Sequence, residues 1–490
     1  AVSKIIANFE NDLGFPLFVR NSRPLTLTPE ARVLQQHLRQ ISGEFSHILA
    51  NIQNHNSIKP GDAGIAGVPG ASGIWKLAKR REAMFDLIIR NGHVVDPVNH
   101  FDGLADVAIE DGHIADVKPG LEASAKEEMD AFGKYVIPGI IDMHTHMRTV
   151  LGHPHAQSMI ALAGVCSTLD MAGPLDNILD SIPTSGAGVN IAVVEAAREG
   201  FTIKTGCPDQ DERRSLIEKT LEKGGIGIKL LGGHFPMDLD VCGHFIDDCN
   251  DMKAWVAWHV GNTAHGSNIE GLRDAVAISE GKFLHIAHVN SYCRGQVKDE
   301  LAEAMEAADL LRAHSNLFSE SYLSPLNGTR LIVKDDKPIS SVTVTCLKKL
   351  GFEPTYAGMR DAILSNKCGV LCDDGRIGRL IDGEEGLRYW ESHKTETTGS
   401  FAVNPAVSRF LLAQAKRDDG TFVVDSFSTD GGCYPRNVIV ENGLLLVQFG
   451  ALTMKEFVVK ASVNGARALG LPTKESPCFM MMVCVSYAES

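Results

Sequence analysis

Short apolar runs alternate with amphipathic segments through most of the chain from residue 135 onward. Eight runs have the length and the Val, Ile and Leu content of buried parallel strands. They are YVIPGIIDM, GVCSTLDMA, VNIAVVEAA, GIGIKLLGG, AWVAWHVGN, KFLHIAHVN, NLFSESYLS and VVDSFSTDGG. Strands that alternate with helical segments predict βαβ units, and eight of them predict an α/β fold, the (β/α)8 TIM barrel. We place this barrel at 139–475.

The pattern changes on either side of the barrel and once inside it. Residues 84–138 hold shorter strands, and the dipeptides NG (91–92) and DG (111–112) predict hairpin turns between them. We therefore expect a small β-domain, part of a composite β-sandwich. The connection at about 324–421 is too long for a loop and predicts an inserted lid or subdomain. The segment 476–490 predicts an irregular tail, which would leave an edge of the β-domain unpaired.

The first 83 residues differ from the rest. Residues 1–55 begin AVSKIIANFENDLGFPLFVRNSRPLTLTPEA, which resembles the recognition helix and wing of LysR-type regulators. The first helix of that unit is absent, although a helix-turn-helix needs it to cover its core. We interpret 1–55 as a truncated winged-helix remnant rather than a working DNA-binding module. Residues 56–83 are rich in Gly, Pro, Ala and Ser and predict a flexible linker.

Composition and charge exclude several classes of function. The chain is 44% hydrophobic and 22% charged, as in ordinary globular proteins, and its net charge of −14 disfavours nucleic acid and anionic membranes as partners. No apolar run reaches the roughly 18–20 residues that span a bilayer, and the first residues do not resemble a secretory signal. The 11 cysteines form no CxxC pairs, which favours reduced thiols and a cytoplasmic location.

Titratable side chains follow the predicted barrel strands, at the strand ends where such barrels carry their active sites. The first strand ends in IDMHTHMRT, whose His144, His146 and Arg148 share one face because strand side chains alternate. By itself this pair of histidines is equally compatible with an exposed turn. The later strand ends add a lysine, two histidines and an aspartate: Lys229, His259, His288 and Asp430. Together they predict a metal centre.

Lys229 is unusual because it lies inside the apolar run GIGIKLLGG. A buried ammonium group is costly, so its pKa falls and the amine becomes a nucleophile. Such an amine can take up carbon dioxide as a carbamate that bridges two metal ions. The alternative is a lysine that reaches the surface or pairs with an acid. The other residues at matching strand ends favour the metal interpretation.

These motifs resemble those of the amidohydrolase superfamily, in particular its binuclear branch of dihydroorotases, hydantoinases and dihydropyrimidinases, with D-aminoacylases as relatives. The resemblance covers roughly 84–475 and rests on DLIIRNGHVVDP, PGIIDMHTHMR, GIGIKLLGG, HIAHVNS, STDGG and SVNGARALGL. It implies a more buried metal ion, a more exposed one and a carboxylated lysine that bridges them. The implied ligands are His144, His146 and Asp430 for the first ion, His259 and His288 for the second, and Lys229 as the bridge.

The resemblance also implies a reaction, the hydrolysis of a C–N bond in an amide, cyclic amide or ureide by a metal-bridging hydroxide, with Asp430 transferring the proton. Zinc suits these donors, and manganese, cobalt and nickel fit them as well. The substrate is expected to be a small molecule with a carboxylate, and the protein a homo-oligomer. The predicted substrate-binding residues are Arg148, Asn290, Tyr292, Arg294 and Asn327. His234 is expected to be solvated on a loop at the rim, with contact to the substrate as the alternative, and His285 is expected to be packed in the core.

Three alternatives stay open. A one-metal enzyme would be an N-acyl-D-amino acid deacylase or a deaminase, although a mononuclear deaminase has no need of a bridging lysine. A pseudoenzyme scaffold would have lost a ligand, and no ligand is lost at the strand ends. A DNA-binding fusion would use the barrel as a sensor for the N-terminal remnant.

Overall fold

The protein is described here by a computed structural model that covers residues 84–147, 155–186, 188–375, 377–471 and 483–486. The predicted remnant (1–55), the linker (56–83) and Arg148 lie outside these residues. The described chain opens with five strands: β1 (Phe85–Asp96), β2 (Phe101–Glu110), β3 (His113–Lys118), β4 (Ala125–Asp130) and β5 (Lys134–Ile137). β1 pairs antiparallel with β2 and parallel with β4 and β5, and β2 pairs antiparallel with β3.

One of the two predicted hairpin turns in this sheet is wrong. Asp111 and Gly112 do connect β2 and β3, with φ angles of 51° and 74°. Asn91 and Gly92 instead lie inside β1, where a β-bulge shifts the register and Asn91 has a φ of 62°. An Asn-Gly pair tolerates the same left-handed backbone in a bulge as in a turn. Gly92 also allows close strand packing, because a Cβ there would lie 2.4 Å from Cγ2 of Val136.

Parallel strands that pair in chain order form most of the barrel wall. They are β6 (Ile140–His146), β7 (Val165–Asp170), β8 (Asn190–Ala197), β9 (Gly227–Leu231), β10 (Trp255–His259), β11 (Leu284–Ile286) and β12 (Leu317–Tyr322). The helices between them are α1 (Ala156–Leu162), α2 (Leu175–Ser185), α3 (Gln210–Glu222), α4 (Leu239–Asp251), α5 (Ile269–Ile278) and α6 (Glu300–Arg312). Asp209, Asn268 and Asp299 cap three of these helices by accepting backbone N–H groups of the first turn. Among the described residues, no helix combines the length and apolar character needed to cross a bilayer.

A subdomain with its own sheet follows β12, inside the segment predicted as an insertion (324–421). Its elements are β13 (Leu326–Arg330), β14 (Val333–Lys334), β15 (Lys337–Pro338), α7 (Ser341–Lys349), α8 (Tyr356–Leu364), β16 (Cys368–Asp373), β17 (Gly378–Ile381), α9 (Gly383–Ser392) and β18 (Thr398–Ala402). The antiparallel strands lie in the order β13-β18-β16-β17. Leu347, Met359, Trp390 and Phe401 belong to a hydrophobic core of this subdomain. Since β13 begins just after β12 ends, the subdomain is attached at the C-terminal end of the barrel strands.

The eighth predicted strand closes the barrel in two short pieces. After α10 (Ala406–Gln414), β19 (Ser426–Ser428) pairs with β12, and β20 (Gly431–Gly432) pairs with β6. The predicted TIM-barrel fold is therefore confirmed. The remaining helical elements are α11 (Ile439–Gln448), α12 (Met454–Val458), a π-helical turn (Val459–Val463) and α13 (Asn464–Ala468).

A last strand, β21 (Val483–Ser486), lies in the segment predicted to be an irregular tail (476–490). It pairs antiparallel with β5, so its backbone covers a sheet edge that we predicted to be unpaired. The prediction of irregular structure is wrong for these residues. Their sequence VCVS contains β-branched valines, which favour an extended backbone when a pairing edge is available.

Candidate active site

The barrel brings the predicted ligands from separate strands to one mouth. His144 and His146 lie on β6 with one residue between them, so their side chains share a face. Both approach Asp430, which follows β19. Lys229 on β9 pairs in register with Ala257 of β10, two residues before His259. Residues more than 280 positions apart in sequence are thus neighbours in space, as the 284-residue separation of His146 and Asp430 shows.

The tightest cluster consists of His144, His146 and Asp430, whose ligand atoms all lie within 4.8 Å of one another. Nε2 of His146 is 2.9 Å from Oδ1 of Asp430, and Nε2 of His144 is 3.5 Å from the same oxygen. Two imidazole nitrogens and a carboxylate oxygen therefore point at one small volume. Burial, followed by the charge of Lys229, lowers the pKa of His144 to about 4, which leaves its imidazole neutral near pH 7.

Backbone geometry fixes Asp430 in this position. The residue has a φ of 48°, and its N–H donates to the carbonyl oxygen of His144 at 2.8 Å. Its second oxygen, Oδ2, forms an ion pair with Nη2 of Arg436 at 2.8 Å. Burial opposes ionisation of Asp430, but the positive charge of Arg436 outweighs it and holds its pKa well below the ordinary value. Asp430 is therefore an ionised carboxylate, and Arg436 is a site residue that sequence reasoning missed.

Glu320 on β12 is a second missed residue, and it lies directly behind the histidine cluster. The side chain is fully buried, and its Oε1 accepts Nδ1–H of His144 at 2.6 Å and the backbone N–H of His288 at 2.7 Å. Ser428 donates its hydroxyl to Oε2. A carboxylate on Nδ1 fixes the histidine tautomer, so Nε2 of His144 carries the lone pair that faces Asp430. The lone acid in the run NLFSESYLS was the signal available in the sequence.

His259 and His288 form the other half of the site. Nδ1 of His259 and Nε2 of His288 face each other at 3.0 Å. The far nitrogens are held by serine hydroxyls, with Ser267 Oγ 3.0 Å from Nε2 of His259 and Ser291 Oγ 2.7 Å from Nδ1 of His288. Burial lowers the pKa of both histidines well below the ordinary value. The ring of His288 also stacks on that of His144, with ring centroids 5.0 Å apart, so the two halves are continuous.

Lys229 lies buried beside these histidines. Only 1% of the residue is exposed, and the partner that its Nζ contacts is the thioether of Met171, at 3.7 Å. A thioether is a poor acceptor for an ammonium group, and no carboxylate of the described residues pairs with this lysine within 4 Å. Burial lowers the pKa of Lys229 to about 8, so about a tenth of the side chain is free amine at pH 7.

This donor set fits divalent metal ions. The groups available are imidazole nitrogens with their lone pairs oriented and an ionised carboxylate, which are the ligands that zinc takes in hydrolytic sites. The 3.0 Å between the two facing nitrogens of His259 and His288 is close to the ~3.4 Å expected for two nitrogens at ~2.1 Å from one tetrahedral ion. The assignment of individual residues to metal ions stays a prediction.

The predicted substrate-binding residues divide into two groups. Arg294 and Asn327 are brought together, since Nη2 of Arg294 donates to Oδ1 of Asn327 at 2.9 Å. Asn290 and Tyr292 are buried against the barrel itself: Asn290 Oδ1 accepts the N–H of Tyr322 at 3.1 Å, and Tyr292 OH accepts the N–H of Val260 at 2.8 Å. These contacts differ from the predicted substrate contacts. The 3-10 helix Val289–Tyr292 turns both side chains inward, which loop position alone could not reveal.

The two remaining histidines lie where the sequence predicted. His285 is fully buried, and its Nδ1 accepts Nε1–H of Trp255 at 3.3 Å. His234 lies at the mouth, with its ring centroid 5.5 Å from that of His259. The backbone before it packs closely, because a Cβ on Gly233 would lie 2.1 Å from Nε2 of His259.

The curated proteins that share sequence with this chain include bacterial dihydroorotases. A 73-residue segment is 48% identical to the dihydroorotase of Solibacter usitatus, over 15% of this chain and 17% of that protein. A 132-residue segment is 47% identical to the dihydroorotase of Trichlorobacter lovleyi, over 24% of this chain and 31% of that protein. The matches therefore span less than a third of either relative.

Solved structures share the fold across most of the chain. N-acyl-D-glutamate deacylase from Bordetella bronchiseptica, complexed with zinc, has a TM-score of 0.59 at 14% identity, over 82% of this chain and 90% of that chain. A D-aminoacylase has a TM-score of 0.57 at 17% identity with the same coverage. A D-hydantoinase has a TM-score of 0.51 at 17% identity, over 81% and 86%. The predicted resemblance to dihydroorotases, hydantoinases and D-aminoacylases is thus confirmed.

The N-terminal resemblance is also supported. The family model described as bacterial regulatory helix-turn-helix protein, lysR family, matches residues 1–32. These residues lie outside the part of the chain that the structure describes.

Proposed function

We propose that this protein is a metal-dependent amidohydrolase that cleaves the C–N bond of an amide or cyclic amide in a small, carboxylate-bearing molecule. The observation that carries the proposal is the meeting of imidazole, carboxylate and amine groups at one barrel mouth, with Lys229 buried against a thioether. The same fold in D-aminoacylase and D-hydantoinase and the segments shared with dihydroorotases support the reaction class.

Metal ions bound here, with zinc as the proposed metal, would activate water for attack and polarise the scissile carbonyl. The proposed ligands are the six residues at the strand ends: His144, His146, Lys229, His259, His288 and Asp430. Glu320 holds His144 in the tautomer that leaves Nε2 free to bind. The serine hydroxyls on the far nitrogens orient His259 and His288 in the same way.

Lys229 is proposed to act as a carbamate. Its free amine would add to the carbon of carbon dioxide, forming an N–C bond and losing one proton to solvent. The product is a carboxylate-like anion in place of a cation, which converts a costly buried charge into a metal ligand. A pKa of about 8 and the absence of a paired acid among the described residues both favour this reaction.

Asp430 is proposed to move the proton of the reaction. It is ionised, and Arg436 holds Oδ2 at 2.8 Å while Oδ1 faces the histidines. Oδ1 would accept a proton from the attacking water and deliver it to the leaving nitrogen. The ion pair with Arg436 keeps the carboxylate in one orientation during both transfers.

A one-metal deacylase is the second candidate. Among the described residues, His144, His146 and Asp430 already hold three ligand atoms within 4.8 Å of one another. His259 and His288 supply two facing nitrogens. One ion in the first group would suffice for an aminoacylase. Oligomerisation, a cytoplasmic location and the absence of a nucleic-acid partner stay predictions.

The test is metal content with and without Lys229. The full chain is purified with zinc and bicarbonate, and bound metal is counted by mass spectrometry for the parent, for Lys229→Met and for Lys460→Met. Lys460 is a matched control, because it is also 1% exposed but donates to the carbonyl of Val424 away from the site. Hydrolysis is assayed on N-acetyl amino acids of both configurations, on dihydroorotate and on hydantoins.

The binuclear proposal predicts about two metal ions in the parent and in Lys460→Met, and a loss of at least one ion with loss of hydrolysis in Lys229→Met. One ion that does not depend on Lys229, with hydrolysis retained, would establish the one-metal deacylase instead. Ammonia release without a carboxylic acid product would indicate a deaminase. A correctly folded, metal-loaded parent that cleaves none of these substrate classes would overturn the proposal.

A further inference from the structure

Arg198 lies at the mouth of the barrel, directly after β8, and takes no part in the metal centre. Its backbone is fixed, because its N–H donates to Oγ1 of Thr202 at 2.7 Å and its carbonyl accepts the N–H groups of Phe201 and Thr202 at 3.1 and 3.0 Å. Its guanidinium carbon lies 3.8 Å from the ring centroid of Phe201 and 5.9 Å from that of Phe235. The guanidinium group is therefore held between two aromatic rings rather than free to move.

The aromatic neighbours also show where Arg198 lies relative to the metal centre. Phe235 directly follows His234, whose ring is 5.5 Å from that of His259. The backbone of this loop touches His259 at Gly233. Arg198 thus lies one residue layer from the proposed ligands, on the side of His259.

Among the described residues, the guanidinium group of Arg198 has no ion-pair partner. Its Nε is buried without a hydrogen bond, and no ion pair within 4 Å joins it to an acid of the described residues. The acid whose charge acts on it, Glu195, is already engaged by the backbone N–H groups of Leu175 at 2.7 Å and Ala196 at 3.1 Å. A buried donor without an acceptor is destabilising, so Nε of Arg198 is free to donate to a ligand.

Arg330 approaches the same place from the inserted subdomain. It ends β13, in which Asn327 and Thr329 are buried toward the subdomain while Leu326, Gly328 and Arg330 alternate onto the other face. Gly328 identifies that face, because a Cβ there would lie 3.0 Å from the ring of Tyr434. The ring of Tyr434 packs edge-on to His146, with centroids 6.4 Å apart. The face that carries Arg330 therefore borders the metal centre.

The charges of the two arginines act on each other. Burial has the largest effect on the pKa of Arg198 and lowers it. The charge of Glu195 raises this pKa, and the charge of Arg330 lowers it further. Arg330 also contributes to the lowered pKa of His234. No ion pair within 4 Å joins Arg330 to an acid of the described chain. Each of these two cations at the mouth is therefore without an ion pair to a described acid, and each can accept an anionic group of a ligand.

We infer that Arg198 and Arg330 together bind a carboxylate of the substrate at the mouth of the barrel. This inference rests on the proposed function for its substrate chemistry. Guanidinium groups bind carboxylates through paired N–H donors, and the rings of Phe201 and Phe235 already orient the guanidinium group of Arg198. Arg148 is the residue that the sequence predicts for a substrate carboxylate. A second cationic place would therefore select substrates with two carboxylates.

The test compares two ligands that differ only in this second charge. Dissociation constants of N-acetylglutamate and N-acetylglutamine, both configurations of each, are measured by calorimetry on the zinc-loaded full chain, and kcat and KM are measured wherever hydrolysis occurs. The variants are Arg198→Met, Arg330→Met and Arg198→Lys. The lysine variant keeps the positive charge but lacks the paired N–H donors of a guanidinium group. Arg388→Met is the control, since Arg388 is an exposed residue of α9 whose side chain is 70% accessible.

The parent is expected to bind N-acetylglutamate more tightly than N-acetylglutamine. Each methionine variant should weaken N-acetylglutamate binding by about 10- to 100-fold, as expected for a lost charged hydrogen bond, while binding of N-acetylglutamine changes by less than about 3-fold. Arg198→Lys should fall in between, and Arg388→Met should match the parent. Where hydrolysis occurs, the loss should appear in KM rather than kcat.

The inference and the proposed function can fail separately. A parent that binds N-acetylglutamate through the two arginines without hydrolysing it supports the inference and refutes the proposed function for this substrate class. A parent that hydrolyses N-acetylglutamine as well as N-acetylglutamate, with both methionine variants unchanged, overturns the inference and leaves the proposed function standing. Equal losses with both ligands would also overturn it, because they indicate a structural role for the arginines.

Discussion

Replacing Glu320 by glutamine removes one buried negative charge while leaving the shape of the side chain intact. Glu320 accepts Nδ1–H of His144 at 2.6 Å and N–H of His288 at 2.7 Å on the same oxygen, Oε1. A glutamine that keeps its carbonyl oxygen in this place still accepts both bonds. Its amide NH₂ then occupies the place of Oε2, where the hydroxyl of Ser428 can rotate from donor to acceptor. The variant therefore tests the charge rather than the hydrogen bonds.

The expected magnitude follows from the change in bond type. A hydrogen bond to a charged acceptor contributes about 1.5–3 kcal/mol and a neutral one about 1, so His144 loses roughly 0.5–2 kcal/mol of support. This is equivalent to about a 2- to 30-fold weaker metal affinity, which overlaps the 10- to 100-fold range seen for carboxylates behind ligating histidines. Glu320→Ala should be more destabilising, because two buried N–H groups lose their acceptor at a cost of about 1–3 kcal/mol each.

The assay is competitive zinc titration with a chromophoric chelator, together with urea unfolding of the metal-free protein. Glu303→Gln is the matched control, since Glu303 is equally buried and accepts the backbone N–H groups of Gly295 and Val297, both at 2.7 Å. We expect a weaker zinc affinity in Glu320→Gln and an unchanged one in Glu303→Gln. Unchanged zinc affinity in both variants would refute the role assigned to Glu320.

Three further predictions concern pH and close packing. Metal-free protein should lose stability as the pH falls from 6.5 toward 4, because His144 has a pKa of about 4 in the folded protein and takes up a proton earlier in the unfolded chain. This shift in pKa corresponds to about 3 kcal/mol. Urea unfolding of the parent and of His144→Asn at several pH values would measure the loss of stability. Gly233→Ala should displace His259, since its Cβ would lie 2.1 Å from Nε2; metal content and kcat should fall, whereas Gly266→Ala, which meets open space, should match the parent. Gly92→Ala should lower the free energy of unfolding by about 1–3 kcal/mol through overpacking against β5, and an unchanged urea midpoint would contradict this prediction.

Local sequence pattern predicted the barrel and the strand-end ligands because both depend on short-range rules. Parallel strands buried on both faces need continuous apolar runs, and a polar residue at the end of such a run lies at the mouth in any arrangement of the barrel. His144, His146 and Lys229 could be identified in this way without knowledge of any contact. The same rules failed at Asn91, because one left-handed residue serves a bulge and a turn equally well.

Contacts across the barrel could not be predicted in this way, since they join residues that no sequence period relates. His144 and Glu320 are 176 positions apart, and only the closed barrel places that carboxylate behind the histidine. The face of β13 that carries Arg330 borders the metal centre only because of where the inserted subdomain is attached to the barrel. The sequence by itself thus determined the fold class and the chemical groups at the mouth. The tertiary structure decided which groups are paired, which are left without a partner, and hence which remain available to bind a substrate.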